Sequence, residues 1–461
     1  MKRIVLITLL IWVWGSVFAQ EESFSFTLQE AREYALEHNK TLLNAQSDVA
    51  LAEEKYKETR GSGLPQVNGS MDYTTNFNYE FEFGMGGQTT EFEFENPQLL
   101  DAGDMEVIKA LGQMFGPSEG ANTIVMEDQA NASIQVSQLI FNGQYWIGLK
   151  MAKLSKDIAA KSLNASENDL KENVGNLYYG ILASQKFIKI IDNIKENNKD
   201  ILKQMQNMYE KGMVEEIEVD QIRMGISELE NSKKTMERSL EYSINTFRFV
   251  LGIENNAPIE FEDDLDEFLA NIMEENLLTS DFDISQNPSY QLVETQEEIG
   301  EESIAMQKWA YAPTISGFYN YREKILKSSF DLSPKNTAGL TLSVPIISGG
   351  TRSAQLSQAR IEYEKINRNK SLLEEQLELQ NRQLIYELKN AIDNYQMQKD
   401  NVQVAQRVYE NSNNKYKHGQ LSVVELNQTR NNYLQAENNY VSSILNLLQA
   451  KLKKDKLYNN L

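Results

Sequence analysis

The sequence predicts a mainly helical α+β chain built from a tandem repeat, with four transmembrane β-strands per chain in a shared barrel and long helices packed as coiled coils. Three observations predict it. The chain is written twice, its strand candidates alternate strictly between apolar and polar residues, and the helices between them keep a heptad register in both copies.

The repeat comes first because a missed repeat misreads the whole fold. Leu64-Pro65 matches Ala312-Pro313 and Asn39 matches Asn287, both at an offset of 248 residues. Further on, Ile134-Gln135-Val136-Ser137 matches Leu340-Thr341-Leu342-Ser343 and Gly143 matches Gly349, now at 206. Then Tyr209-Glu210-Lys211-Gly212 matches Tyr416-Lys417-His418-Gly419, and Gln221 and Arg223 match Gln428 and Arg430, at 207. The drop from 248 to 206 places 42 extra residues between the two strands of the first copy, in the Gly-rich, acidic loop 84–122. Each copy reads as a helix, two strands, a very long helix, a tight turn and another helix. The expected divisions are 1–19 as a signal peptide, 20–252 and 287–461 as the two repeats, and 253–286 as a linker.

In the first strand Val67, Met71, Tyr73, Phe77, Tyr79, Phe81 and Phe83 share one parity, and polar residues from Gln66 to Glu82 fill the other. Successive side chains of a strand point to opposite faces, so one face is oily and the other wet. The pattern recurs at Ala132, Ile134 and Val136, at Ile315, Tyr319 and Tyr321, and at Ala338, Leu340, Leu342 and Val344. A soluble sandwich strand alternates too. Here the first strand is long and its aromatics crowd toward one end, as at a lipid interface. Four strands do not close a transmembrane barrel, since the smallest have about eight, and an open edge in lipid leaves backbone groups unpaired. Strands that span a membrane therefore require partner subunits.

The helices carry a different period. A ladder of alternating four- and three-residue steps runs from Leu170 through Val174, Leu177 and Ile181 to Met205 and Tyr209, and reappears 207 residues on from Leu377 to Tyr416. Such a seam packs against neighbouring helices. The uninterrupted stretch from Gly143 to Met208 is about 100 Å long as an α-helix.

Composition sets the compartment. Lys2 and Arg3, an apolar run from Ile4 to about Val13, and Val17-Phe18-Ala19 read as a secretory signal cleaved after Ala19. The chain has no cysteine, which excludes disulfides, thiolate metal sites, thiol nucleophiles and a lipidated signal-peptide cysteine. Its net charge of −22 argues against nucleic acid as a partner and fits an acidic, solvated surface. Between Ile253 and Gln286 stand 11 acidic residues and no basic ones, which reads as a solvated linker with a short helix near Asp264–Asn271. Only two histidines and no Gly-rich phosphate loop argue against an enzyme, and no cofactor or metal is expected. A secreted coiled-coil structural or adhesive protein would explain the helices and the acidity, but not two pairs of amphipathic strands at matching repeat positions.

These features together resemble the TolC family of outer-membrane efflux and export proteins: the tandem repeat, Leu64-Pro65 and Ala312-Pro313 before strands, Ser343-Val344-Pro345-Ile346 with Gly349-Gly350, and the two Tyr-x-x-Gly turns. The resemblance covers essentially the whole mature chain. It implies a TolC-like homotrimer whose barrel lies in the outer membrane of a Gram-negative cell. A coiled-coil α-helical barrel would continue it through the periplasm to a periplasmic adaptor and an inner-membrane transporter, as the passive exit duct of a tripartite efflux or type I secretion system.

The resemblance also implies that adaptor contacts cluster at the tips, giving Tyr209, Gly212, Tyr416 and Gly419 a docking role. It implies that Glu218 and Glu425 line the narrowest part of the tunnel, where a ring of carboxylates favours cations; on its own an acidic residue in a first helical turn is also what the helix dipole favours. The chain departs from the pattern in four places. Leu421 stands where some members carry a latching arginine, Gln428 replaces a second acid, Leu139 stands where the second copy has Pro345, and the loop 84–122 is long.

Overall fold

A computed structural model describes residues 24–77, 79–83, 101–115, 122–126, 128–253, 257–274, 281–326 and 333–461. The expected signal peptide and residues 84–100 and 116–121 of the long loop lie outside the described residues. The first half of the chain reads β1 (Phe24–Phe26), α1 (Leu28–His38), α2 (Lys40–Gly61), β2 (Gln66–Thr74), β3 (Tyr79–Phe83), α3 (Ala102–Phe115), β4 (Asn122–Met126), β5 (Gln129–Phe141), α4 (Gly143–Glu210) and α5 (Glu216–Leu251). Then come β6 (Ile259–Phe261), α6 (Leu265–Glu274), α7 (Pro288–Trp309), β7 (Thr314–Leu326), β8 (Asn336–Ser343), α8 (Thr351–Lys417) and α9 (Val423–Leu457). The chain divides into a helical unit, made of the chain up to Tyr56 with Lys150–Ile304 and Ser357–Leu461, and a sheet unit of Lys57–Leu149 and Ala305–Leu356.

In the helical unit the two copies give helices of matched length: 22 residues for α2 and α7, 68 and 67 for α4 and α8, 36 and 35 for α5 and α9. No proline interrupts α4 or α8, so nothing breaks their ladders of backbone hydrogen bonds. The heptad seam is the buried face. Leu170, Val174, Ile181, Ile191 and Met205 are buried on α4, and Leu377, Leu384, Leu388, Tyr395 and Val402 on α8.

Each copy also joins two helices end to end through its matched asparagine. Asn39 Nδ2 donates to the Val250 carbonyl at the end of α5 (2.7 Å), while its Oδ1 accepts from Leu42 N–H in the first turn of α2 (3.0 Å). Asn287 does the same work for α9 and α7, donating to the Leu457 carbonyl (3.1 Å) and accepting from Ser289 and Tyr290 N–H (3.0 and 3.3 Å). One amide thus satisfies orphan groups of two helix ends at once. The results are two composite rods, α5 with α2 and α9 with α7.

The acidic linker is more than solvated chain. β6 pairs in parallel with β1, Phe26 beside Phe261, and Leu265 and Leu269 of α6 are buried in the core. The short helix is there, at Leu265–Glu274. The acids stay outside that core and cap it: Asp263 accepts from Leu28 N–H at 2.7 Å, and Glu262 from the Ser25 hydroxyl at 2.6 Å. The charge run hid a short period-two stretch, Ile259 and Phe261, whose partner strand lies over 230 residues earlier.

The sheet unit holds one antiparallel sheet in the order β2-β5-β7-β8. Its register puts Val67 opposite Val136, Met71 opposite Ala132, Ile134 opposite Tyr321, Tyr319 opposite Ala338 and Ile315 opposite Leu342. Directly opposed residues share a face, so the predicted oily parities of all four strands fall on one side. That side is exposed: Val67, Met71, Tyr73, Leu340 and Leu342 are each more than 60% accessible. The other side is polar, with Ser70 bonded to Ser133 (2.8 Å) and Asn131 to Asp72 (3.0 Å).

The first strand is shorter than its alternation suggests. It stops at Thr74, and Phe77 takes a left-handed backbone (φ 51°) with its N–H on the Thr75 hydroxyl at 3.2 Å. A side chain hydroxyl that bonds the backbone two residues on competes with the ladder. β3 then pairs with β4 in a separate two-stranded sheet, and the expected loop contains the helix α3.

Candidate functional site at the helical tip

Both long helices end in the same way, because both copies write Tyr-x-x-Gly. Gly212 and Gly419 have φ of 71° and 70°, the left-handed conformation that glycine adopts without steric cost. Gly212 N–H donates to the Tyr209 carbonyl (2.8 Å) and Met213 N–H to Met208 (2.9 Å); Gly419 and Gln420 repeat this onto Tyr416 and Lys415, at 2.9 Å each. These are Schellman caps. Nothing lies near a side chain added at either glycine, so the backbone angle alone selects it.

Beyond the turns the copies diverge. Ser422 caps α9 and forms a capping box with Glu425, whose carboxylate accepts from Ser422 N–H at 3.3 Å and from its hydroxyl at 3.1 Å. Glu425 is thereby engaged at the helix terminus. At the matched end of α5 the capping position is Glu215, which makes no side-chain cap, and Glu218 donates its N–H to the Glu215 carbonyl at 3.2 Å. The carboxylate of Glu218 instead lies near Tyr416.

The two matched tyrosines also differ. Tyr209 is 44% exposed, whereas Tyr416 is 6% exposed in a cluster with Ile201, Val219, Ile222, Tyr409 and Leu426. The Tyr416 hydroxyl has no hydrogen-bond partner, and burial, with Glu218 adding to it, pushes its ionisation well above the usual phenol range. Of the six residues predicted at the tip, the structure brings Glu218 and Tyr416 together and leaves Tyr209 and Glu425 at the surface.

The residue that sequence reasoning passed over is Arg430. Its match Arg223 is exposed and pairs with Asp220 at 2.5 Å, but Arg430 is 2% exposed. Its Nη2 reaches Asn431 Oδ1 (3.0 Å) and Glu228 (3.4 Å), and its Nη1 has no partner. Space for it comes from Gly225 on α5, where an added Cβ would stand 1.9 Å from Nη1. The available signal was the glycine two residues after Arg223 where the second copy has Asn432.

Burial pulls the Arg430 ionisation down from its usual value, against the opposing pull of Glu228 and Tyr409. A buried, incompletely paired cation contributes little net stability. Arg430→Met is therefore expected to leave the unfolding free energy unchanged or raise it by about 1 kcal/mol. A loss greater than that in chemical denaturation would show the guanidinium to be a net stabiliser.

Among the described residues no group of acids and histidines could hold a metal ion, and no helix is long and apolar enough to cross a membrane. The exposed apolar face of the sheet has the character of a surface that faces lipid. The family model for outer membrane efflux proteins matches residues 284–456. The outer membrane protein TolC of Salmonella enteritidis is 21% identical over 390 residues, covering 82% of this chain and 68% of that protein.

The second repeat thus resembles the outer membrane efflux proteins.

Its fold is that of solved outer-membrane channels. The CmeC outer membrane channel of Campylobacter jejuni superposes with a TM-score of 0.71 at 14% identity, covering 94% of this chain and 85% of that one. The outer membrane protein VceC of Vibrio cholerae gives 0.69 at 14% identity, covering 94% and 96%. The sequence matches support an outer-membrane efflux channel, and the likeness to solved channels shows its TolC-like fold.

Proposed function

We propose that three copies of this efflux protein assemble side by side, each giving the four strands of its sheet to one twelve-stranded barrel and its helices to one tunnel. The chain would then act as a passive exit duct, without catalysis. In this reading 20–252 and 287–461 are the repeated halves, and 253–286 braces them. The observation that supports it most is the sheet: β2 and β8 are open edges, and the oily face is exposed in a single chain. Edges in lipid must pair, and another copy supplies them. A secreted adhesive coiled coil leaves that face unexplained. The test is fractionation followed by mild-detergent electrophoresis. The protein is expected in the outer membrane as a heat-modifiable trimer, and recovery as a soluble monomer would overturn the reading.

In the helical unit, the turns that carry Tyr209, Gly212, Tyr416 and Gly419 would dock a periplasmic adaptor, itself bound to an inner-membrane pump. Exposed Tyr209 suits contact with that partner, while Tyr416 supports the turn from inside. Glu218 and Glu425 would form carboxylate rings at the constriction. Because a glutamine preserves a capping box, Glu218→Gln with Glu425→Gln tests charge without unravelling α9. Cation selectivity in planar bilayers is expected to fall, and unchanged selectivity would remove both residues from the gate.

A further inference from the structure

In the helical unit a cavity of about 620 Å³ opens between α4, α7, α8 and α9, at the place where Asn287 joins α9 to α7. That volume lies within the range of small-molecule sites. Its apolar part is made by Leu377, Leu384 and Leu457, all buried, which pack as one cluster with Phe282 and Tyr290. Much of its polar lining is already engaged. Asn287 is held by the helix joint, Asn168 donates to Asn459, and Lys456 sits between Asp169 and Glu172 at 2.6 Å from each. These bonds fix the walls before anything enters, so a ligand does not have to order them.

Two lining residues are left without an ionic partner, and they have opposite charge. Among the described residues Lys453 on α9 makes no hydrogen bond or ion pair, and Glu387 on α8 accepts only from the Gln383 amide, at 2.8 Å. They stand at one height, since Glu387 lies 32 residues before Gly419 in the turn between the two helices and Lys453 lies 34 after it. Yet no salt bridge joins them. Elsewhere on these helices such groups do pair, Lys451 with Asp455 at 2.9 Å and Lys370 with Glu297 at 2.6 Å.

We propose that this cavity binds an apolar zwitterion. Its ammonium group pairs with Glu387, its carboxylate with Lys453, and its hydrocarbon body lies on the three leucines. Free aliphatic amino acids and short aliphatic peptides share that chemistry. An acid without an amine meets the carboxylates of Asp169, Glu172 and Glu387, and an amine without an acid leaves Lys453 unpaired. A molecule with both groups matches the lining and gains two charge-assisted hydrogen bonds. The site is about 48 Å of helix away from the Gly419 turn, so it is separate from the docking and gating residues at the tip. It is also independent of the assembly proposed above.

Saturation-transfer NMR and calorimetry on the full chain in mild detergent test the site, with leucine and leucyl-leucine as probes. At least one is expected to bind saturably with a Kd of about 1 mM or tighter, and the two arms separate an amino acid from a peptide as the ligand. The N-acetyl and carboxamide forms are expected to bind about tenfold more weakly, since each has lost one charge-assisted hydrogen bond. Glu387→Gln should bring the N-acetyl form level with its parent, and Lys453→Met the carboxamide form, with neither variant doing the other's work. Neither side chain is buried, so the denaturant midpoint should stay where it is in both variants. Absence of saturable binding by either probe would overturn the site. Blocked forms that bind as well as their parents, or variants that lose affinity for every form alike, would overturn the zwitterion assignment.

Discussion

Tyr178→Ala is expected to cost about 3–5 kcal/mol of unfolding free energy, the range for removing a fully buried large aromatic. Tyr178 has no exposed surface. Its ring meets Phe261 at 5.3 Å, Phe247 at 6.1 Å and Phe268 at 6.5 Å, so truncation opens a cavity among rings from α5, β6 and α6 that cannot collapse together. Its hydroxyl donates to the Phe26 carbonyl on β1 at 2.8 Å. Tyr178→Phe keeps the ring and removes one of the two hydrogen bonds to that carbonyl, which also accepts from Glu262 N–H at 3.1 Å, for an expected loss of about 1 kcal/mol.

Burial, reinforced by Asp263, holds the phenol far above its ordinary ionisation. The folded state therefore keeps a proton that the unfolded chain releases above about pH 10. This contribution to stability is complete below that pH and falls as pH rises through it. Denaturant midpoints in detergent, at one protein concentration, check each value. A Tyr178→Ala loss below about 1 kcal/mol would mean that β1, α4 and the linker are not held by this residue.

The sequence made the long-range plan legible because that plan is periodic. The heptad ladder reports a helix face and the alternation reports a strand face, and both survived into burial and register with the predicted parities. What escaped was short or depended on a partner far along the chain. β6 is three residues in an acidic run, and only its distant partner Phe24–Phe26 makes it a strand. The break at Phe77 is set by one threonine hydroxyl inside an unbroken alternation.

At the tip, a repeat alignment treats matched residues as equivalent, and packing does not. Tyr209 and Tyr416, Glu218 and Glu425, and Arg223 and Arg430 are each paired by offset. Yet in each pair one member faces solvent or a helix cap, and the other faces the helical core. The asymmetry arises because α5 has a glycine notch and no N-terminal serine, whereas α9 has the serine and no notch.

Asn39 and Asn287 show the opposite case, a matched pair whose equivalence is complete. Replacing both by alanine is expected to cost about 3 kcal/mol in total, since each change removes a helix cap worth about 1 kcal/mol and strands a carbonyl that had a partner. The two share no bonding partner, so their effects should add. Serine at each position separates the two functions. It still accepts from the first turn of α2 or α7 but does not reach back to Val250 or Leu457, so about half of the loss should return. Hydrogen exchange locates the effect: protection should fall in the last turns of α5 and α9 and the first turns of α2 and α7, with the Gly212 and Gly419 turns unchanged. Loss spread evenly over all helices would show the asparagines to be ordinary core residues. Confinement to the joints would show that each rod is two helices made continuous by one side chain, which explains why an asparagine stands at the same place in both copies.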